Sequence, residues 1–305
     1  MNPNIRAWLL IFLVCMLCGL TLLGVVSYRS RAFTPAAMLK RLPTDDAVVA
    51  YIDFHQLRAA GILKLLSGSK VGEDPEYQQF VRKTGFDYQQ DLETAIISFA
   101  PDGKYMILKG QFDWASLKSY VLSEDGTCNN SFCKMVGSTH ERNISFFPLQ
   151  TGLMAMAVGK DETAALRLNT VDARPEMELP NAPVWLSIPP SVVKSGQSLP
   201  AGTQMFARSL ERARAVTMSL VAEGSRFAVK LNVRCASDAD ANALAAELNK
   251  TTALLKELIQ REHQTPNPSD LSGFLTSGSF RSDGVRVNGY WPVERALLEN
   301  LLGVN

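Results

Sequence analysis

An α+β fold of antiparallel hairpins with covering helices, preceded by one N-terminal transmembrane helix, is what this sequence predicts. Three observations carry that reading. An uncharged apolar run of bilayer length stands near the N-terminus, β-rich runs beyond it come in pairs joined by short Gly-containing turns, and helical segments follow those pairs in an order that occurs twice.

The apolar run occupies residues 7–26 (AWLLIFLVCMLCGLTLLGVV) and carries no charge. About twenty such residues match the thickness of a hydrocarbon core. Trp8 and Tyr28 stand at its ends, where amphipathic rings favour the headgroup region, and Arg6 and Arg29 mark where it meets water. Such a run is long for a cleavable signal peptide, and Val25-Val26-Ser27 is a poor cleavage site, so an uncleaved single-pass anchor in the inner (plasma) membrane is expected. Leu17 before Cys18 argues against acylation there. The flanking charges and the cysteines disagree about orientation. Arg29, Arg31, Lys40 and Arg41 follow the span, which by the positive-inside rule holds the C-terminal part in the cytoplasm. Cys128 and Cys133 bracket a short polar loop suited to a disulfide, which belongs outside it. Large C-terminal domains are exported with little regard to flanking charge, so the extracytoplasmic orientation is preferred.

Residues 27–41 read as a stalk, 42–170 as a first α+β half and 171–305 as a second. Each half opens on Leu-Pro, a buried strand and a helical start: Leu42-Pro43 with AVVAYIDF and HQLRAAG, then Leu179-Pro180 with APVWLSIPP and SVVKSG. Each continues with a hairpin, turning at Asp102-Gly103 and at Glu223-Gly224, and then a helix. Each closes on a second hairpin, turning at Thr151-Gly152 and Asp283-Gly284, which leads into KDETAALRL or VERALLENLL. This is the pattern of a duplicated unit. The long helix at 238–262 starts with Ser237 and Asp240 at capping spacing and carries Leu244, Leu248, Leu255 and Ile259 on one face. That stripe is expected to cover the sheet, with a dimer seam as the alternative.

The chemistry that these residues exclude is extensive. Lys plus Arg number 31 against 30 Asp plus Glu, which lacks the basic excess of an electrostatic nucleic-acid binder. Five Cys and three His leave little for a metal site, and neither His140-Glu141 nor His263 belongs to a ligand pattern. No cofactor motif is present: residues 152–160 end in Gly-Lys but place Asp161 where a phosphate loop needs Ser or Thr. Ser67-Gly-Ser-Lys70 and Lys83-Thr84-Gly85 imitate the motifs of penicillin-interacting serine enzymes but stand too close together. Asp53 and His55 share a strand face and form a candidate acid–base pair, against the plainer reading that they cap a helix start. Asp87, Asp91 and Asp113 are read as helix caps. Trp185, Tyr290 and Trp291, on strands of the second half, form a candidate binding patch if they face outward.

The segments TGFDYQQDLETAIISFA and KGQFDWASLKSYV, within residues 84–121, resemble uncharacterised bacterial proteins in which one N-terminal membrane anchor precedes a domain of unknown function. The resemblance implies a bacterial envelope protein and brings no activity or catalytic residue with it. The expectation is therefore a non-enzymatic binding or interaction module, contacting the bilayer through residues 7–26 and an envelope protein through its folded part. The alternatives are an envelope hydrolase with an unrecognised site and a sensor that binds a small ligand between the halves.

Overall fold

A computed structural model describes residues 34–63, 74–137, 142–171, 178–195, 209–210, 213–224, 226–262 and 265–301, with residues 16 and 139. The expected span at residues 7–26 lies outside the described residues, Met16 excepted. Among the described residues no helix is long and apolar enough to cross a membrane.

The chain is α+β, with one large antiparallel sheet and several helices. The strands are β1 (Val48–Asp53), β2 (Leu92–Ala100), β3 (Gly103–Gly110), β4 (Thr127–Asn129), β5 (Phe132–Val136), β6 (Asn143–Gln150), β7 (Leu153–Gly159), β8 (Val184–Ile188), β9 (Ala215–Glu223), β10 (Arg226–Arg234), β11 (Ser279–Asp283) and β12 (Arg286–Val293). Their order in the twelve-stranded sheet is β11-β12-β10-β9-β8-β1-β2-β3-β7-β6-β5-β4. β1 and β8 meet antiparallel at the centre, pairing Tyr51 with Trp185 and Ile52 with Val184. Outward from that junction, one wing runs β1-β2-β3-β7-β6 and the other β8-β9-β10-β12-β11; the first wing adds the β5-β4 hairpin at its edge.

Strand β12 illustrates why these residues form half-buried strands. Val287, Gly289, Trp291 and Val293 are buried, while Asn288, Tyr290 and Pro292 between them are exposed, the two-residue period of a sheet with one covered face. Its turn with β11 holds Gly284 at φ +53°, a conformation that glycine reaches without steric cost.

The helices are α1 (Pro35–Leu39), α2 (Phe54–Ala59), α3 (Pro75–Thr84), α4 (Tyr88–Asp91), α5 (Trp114–Ser123), α6 (Pro190–Ser195), α7 (Asp238–Arg261), α8 (Leu271–Thr276) and α9 (Arg295–Leu301), with a 3-10 helix at Ala164–Asn169. Side chains placed by sequence start several of them: Asp87 accepts from Gln89 N, Asp113 from Ala115 N and Ser116 N, and Ser237 from Asp240 N. One sheet face carries α2, α5 and α7 to α9. There Leu117 and Val121 of α5 pack on Phe146 and Met154, and Leu244 and Leu248 of α7 pack on Leu231, Val233 and Val287. Phe54, Ala95, Phe227, Val293 and Leu297 join the two wings in one core on this face.

On the opposite face the wings differ. The first wing is closed by α1 and the 3-10 helix, whose Met38, Ala165 and Leu168 pack on Tyr51, Ile96, Tyr105 and Ala155. Arg167 fastens that helix, donating to Asp102 at 2.6 Å and to the Tyr105 hydroxyl at 2.9 Å. Of the expected stalk at 27–41, residues 34–41 are described, and there α1 packs Met38, 1% exposed, into the first wing's core. The segments that close the two halves lie on opposite sheet faces: the 3-10 helix (Ala164–Asn169) packs on one, and α9 (Arg295–Leu301) buries Leu297 and Leu298 against the other.

Candidate functional site

The expected acid–base pair does not assemble. Asp53 ends β1 as the N-cap of α2, accepting from Gln56 N at 2.8 Å through one oxygen and from Gln56 Nε2 at 2.8 Å through the other. His55 is exposed on the helix, and no hydrogen bond joins it to Asp53 among the described residues. The Tyr51 hydroxyl lies 3.5 Å from Asp53. Burial first, and then the neighbouring carboxylate, push its pKa up to about 12. The arrangement is a capped helix start on a buried strand.

The three aromatic residues do not form one patch. Trp185 is buried at the centre of the sheet and stacks on Tyr51, ring centroids 5.4 Å apart. Trp291 is buried on the helical face between Phe274 and Phe280. Tyr290, its neighbour in sequence, points to the opposite side and is 38% exposed, as successive strand residues must.

The disulfide between Cys128 and Cys133 is present. The two cysteines lie directly opposite one another on β4 and β5, at the outer edge of the first wing. Of the serine-enzyme imitation, Ser67 and Lys70 lie outside the described residues. Lys83 pairs with Glu124 at 2.6 Å, Thr84 donates to the Phe80 carbonyl at 2.7 Å, and Gly85 caps α3 at φ +70°. Those three residues close a helix. Asp161 accepts from Thr163 N and Oγ1 at 2.8 and 2.7 Å, which makes a turn rather than a phosphate loop. His140 and His263 lie outside the described residues, and those residues hold no metal-ligand cluster.

An open groove lies on Tyr290's side of the second wing. Here β9, β10, β12 and β11 present a polar face bounded by Glu178, Leu179 and Pro180, enclosing a groove of about 610 Å³. Register sets its rows. Thr217, Asn232, Asn288 and Arg281 stand abreast on the four strands, and Ser219, Lys230, Tyr290 and Ser279 form the next row. At about 4.8 Å between strands, each row spans roughly 14 Å. Asn232 donates to Asn288 Oδ1 at 3.0 Å, Lys230 pairs with Glu223 at 2.7 Å, and the Tyr290 hydroxyl donates to Glu223 at 3.0 Å. The hydrogen bonds from Lys230 and Tyr290 hold the Glu223 carboxyl below its ordinary range, and the bond to Glu223 raises the Tyr290 phenol. Arg286 forks onto Glu178 with contacts of 3.3 and 2.6 Å. Amides, hydroxyls and cations thus converge on a concave face with one exposed ring, an arrangement able to bind a polar or anionic ligand.

Sequence reasoning reached only Tyr290 among these residues. Taken singly, the outward positions of β9 to β12 look like any solvated face. The available signal was their sign, since Lys230, Arg234, Arg281 and Arg286 accumulate on three strands of a chain whose net charge is +1.

No protein-family model matches the chain, and no curated protein matches its sequence. Among solved structures it is similar to crystal form I of TP0453, with a TM-score of 0.49 and 13% identity over 88% of this chain and 96% of that one. Crystal form III of TP0453 gives a TM-score of 0.47 and 12% identity over 87% and 96%.

Proposed function

We propose that the chain is a membrane-anchored, extracytoplasmic module that binds a component of the cell envelope in the groove of its second wing, without chemistry of its own. The observation that carries this reading is the asymmetry between the wings: α1 and the 3-10 helix pack one sheet face of the first wing, whereas among the described residues the same face of the second wing lines an open groove whose side chains include Thr217, Asn232, Asn288, Lys230 and Arg281. A sheet face needs no groove of convergent amides and cations to be soluble, whereas a binding site does.

The location is supported by two features. The uncharged run at 7–26 has the length of a bilayer span, and a disulfide between Cys128 and Cys133 persists in oxidising compartments. The resemblance over residues 84–121 points to the same setting. The two wings are proposed to descend from one duplicated unit, a reading supported by their common strand order outward from β1 and β8. In this account the β4-β5 hairpin is an addition to the first copy. The exposed Leu254 and Leu258 on α7 are where a second copy would pack if the module pairs.

The test is photocrosslinking in intact cells from a benzoyl-phenylalanine placed at Ser279 or Ser219, with Leu166 on the 3-10 helix as the control. Discrete adducts from the two groove positions and none from Leu166 are expected. Adducts of equal yield from all three positions, or from Leu166 alone, would remove the groove from its proposed role.

A further inference from the structure

We infer that the groove holds an oxyanion site formed by Arg281, Asn288 and Arg286, occupied in the free protein by the chain's own Glu178, and that its ligand carries a phosphate-type group that takes the place of that carboxylate. The inference rests on the proposed binding role of the groove and names the chemistry it recognises.

Arg281 on β11 lies directly opposite Asn288 on β12, and Arg286 lies two residues before Asn288 on the same strand face. The two arginines are therefore diagonal neighbours across one strand pair. Such positions stand about 7–8 Å apart, within the reach of long side chains toward a common point. Between them, Asn288 accepts from Asn232 through Oδ1. Its Nδ2 has no acceptor among the described residues and remains available as a donor.

Arg281 is exposed and has no acidic partner among the described residues. Arg286 has one, and that partner shows what the position accepts. Glu178 reaches in from the rim with its side chain 77% exposed and places both carboxylate oxygens on the guanidinium. A fork of this kind fits carboxylate and phosphate oxygens equally. A phosphate adds a third oxygen and a second charge, which suits a site with a second guanidinium beside the first. Glu178 is then a competitor: it neutralises Arg286 while the groove is empty and is released to solvent when ligand binds.

The chemistry is shared by a free phosphate and a phospholipid headgroup, and two arms separate them. The full-length protein in phosphatidylcholine nanodiscs is titrated calorimetrically with inorganic phosphate. In parallel, the same nanodiscs are sedimented with vesicles of phosphatidylcholine containing or lacking phosphatidylglycerol. Arg281→Gln and Arg286→Gln are expected to weaken binding at least about tenfold, the loss of one charge-assisted hydrogen bond, and Glu178→Gln to tighten it several-fold. Saturation by phosphate in that order of variants identifies a soluble oxyanion, and retention only on phosphatidylglycerol vesicles in the same order identifies a headgroup. Thermal unfolding of each variant confirms that the exposed substitutions leave the fold intact. Binding in neither arm, or binding that these substitutions leave unchanged, overturns the inference. Crosslinks from Ser279 that persist in that case leave the groove's wider role standing, and their loss as well removes both.

Discussion

Asp53 carries the clearest lesson at the scale of single residues. Its spacing to His55 admits both a catalytic pair and a helix cap, and both carboxylate oxygens are engaged by Gln56. Asp53→Ala is therefore expected to cost about 1 kcal/mol, the usual value of such a cap, whereas His55→Ala should stay within about 0.5 kcal/mol as an exposed substitution; urea titration of both variants checks this. The caps at Asp87, Asp113 and Ser237 were legible because capping is local chemistry, settled within four residues of chain. The aromatic trio was only half legible. Tyr290 and Trp291 are adjacent on one strand and must face opposite ways, but which of them meets the core depends on the helices that arrive later in the chain. The tyrosines also give a pH prediction. Burial first, then hydrogen bonding to Asp102, pushes Tyr105 up to about 12, and burial with Asp53 does the same to Tyr51. A pKa raised in the folded state means that the unfolded chain ionises first. The stability these phenols contribute is whole below pH 10 and falls as pH rises toward 12. Ultraviolet titration should find two phenols ionising near pH 12 in the folded protein, alongside a falling melting temperature.

At the scale of elements, α7 is longer than what it covers. Its 24 residues extend about 36 Å, and past Thr252 the helix turns Leu254 and Leu258 to solvent while Leu244 and Leu248 stay buried. Leu248→Ala is expected to cost roughly 2–5 kcal/mol, but Leu254→Lys with Leu258→Lys less than about 1 kcal/mol in total, as chemical denaturation measures. The stripe of Leu244, Leu248, Leu255 and Ile259 was readable as a covering face, yet the sequence period does not say where the sheet ends. The β4-β5 hairpin is the second case. It is short and at an edge, and its cross-strand disulfide closes a loop with a sequence separation of 5. Chain entropy assigns about 2 kcal/mol to a loop of that size, so Cys128→Ser with Cys133→Ser is expected to lower stability by that amount without unfolding the sheet. Gly110 shows a constraint invisible in sequence. A Cβ there would overlap the Asp91 carbonyl, and Gly110→Ala should destabilise the junction of α4, β2 and β3 by about 2 kcal/mol.

At the scale of the whole molecule, one continuous sheet carries two wings whose inner strands share an order; among the described residues, α1 and the 3-10 helix pack one face of the first wing, and the same face of the second lines the groove. The hairpins and their turns were legible because glycine and period-two patterning are local. The β1-β8 pairing was not, since it joins distant segments through backbone hydrogen bonds that any two extended strands offer. The groove was illegible for the same reason: Lys230, Arg281 and Arg286 come together only through register. The central claim, a binding face held outside the cytoplasm by an N-terminal anchor, is tested most directly by thiol labelling of the full-length protein with Cys15, Cys18 and Cys235 replaced by Ser. In intact cells, a membrane-impermeant maleimide should fail to label Cys128 and Cys133 before reduction and label both after it. Labelling that requires no reductant, and appears only once the cytoplasm is opened, would contradict the account and send the search for the groove's ligand to the cytoplasm.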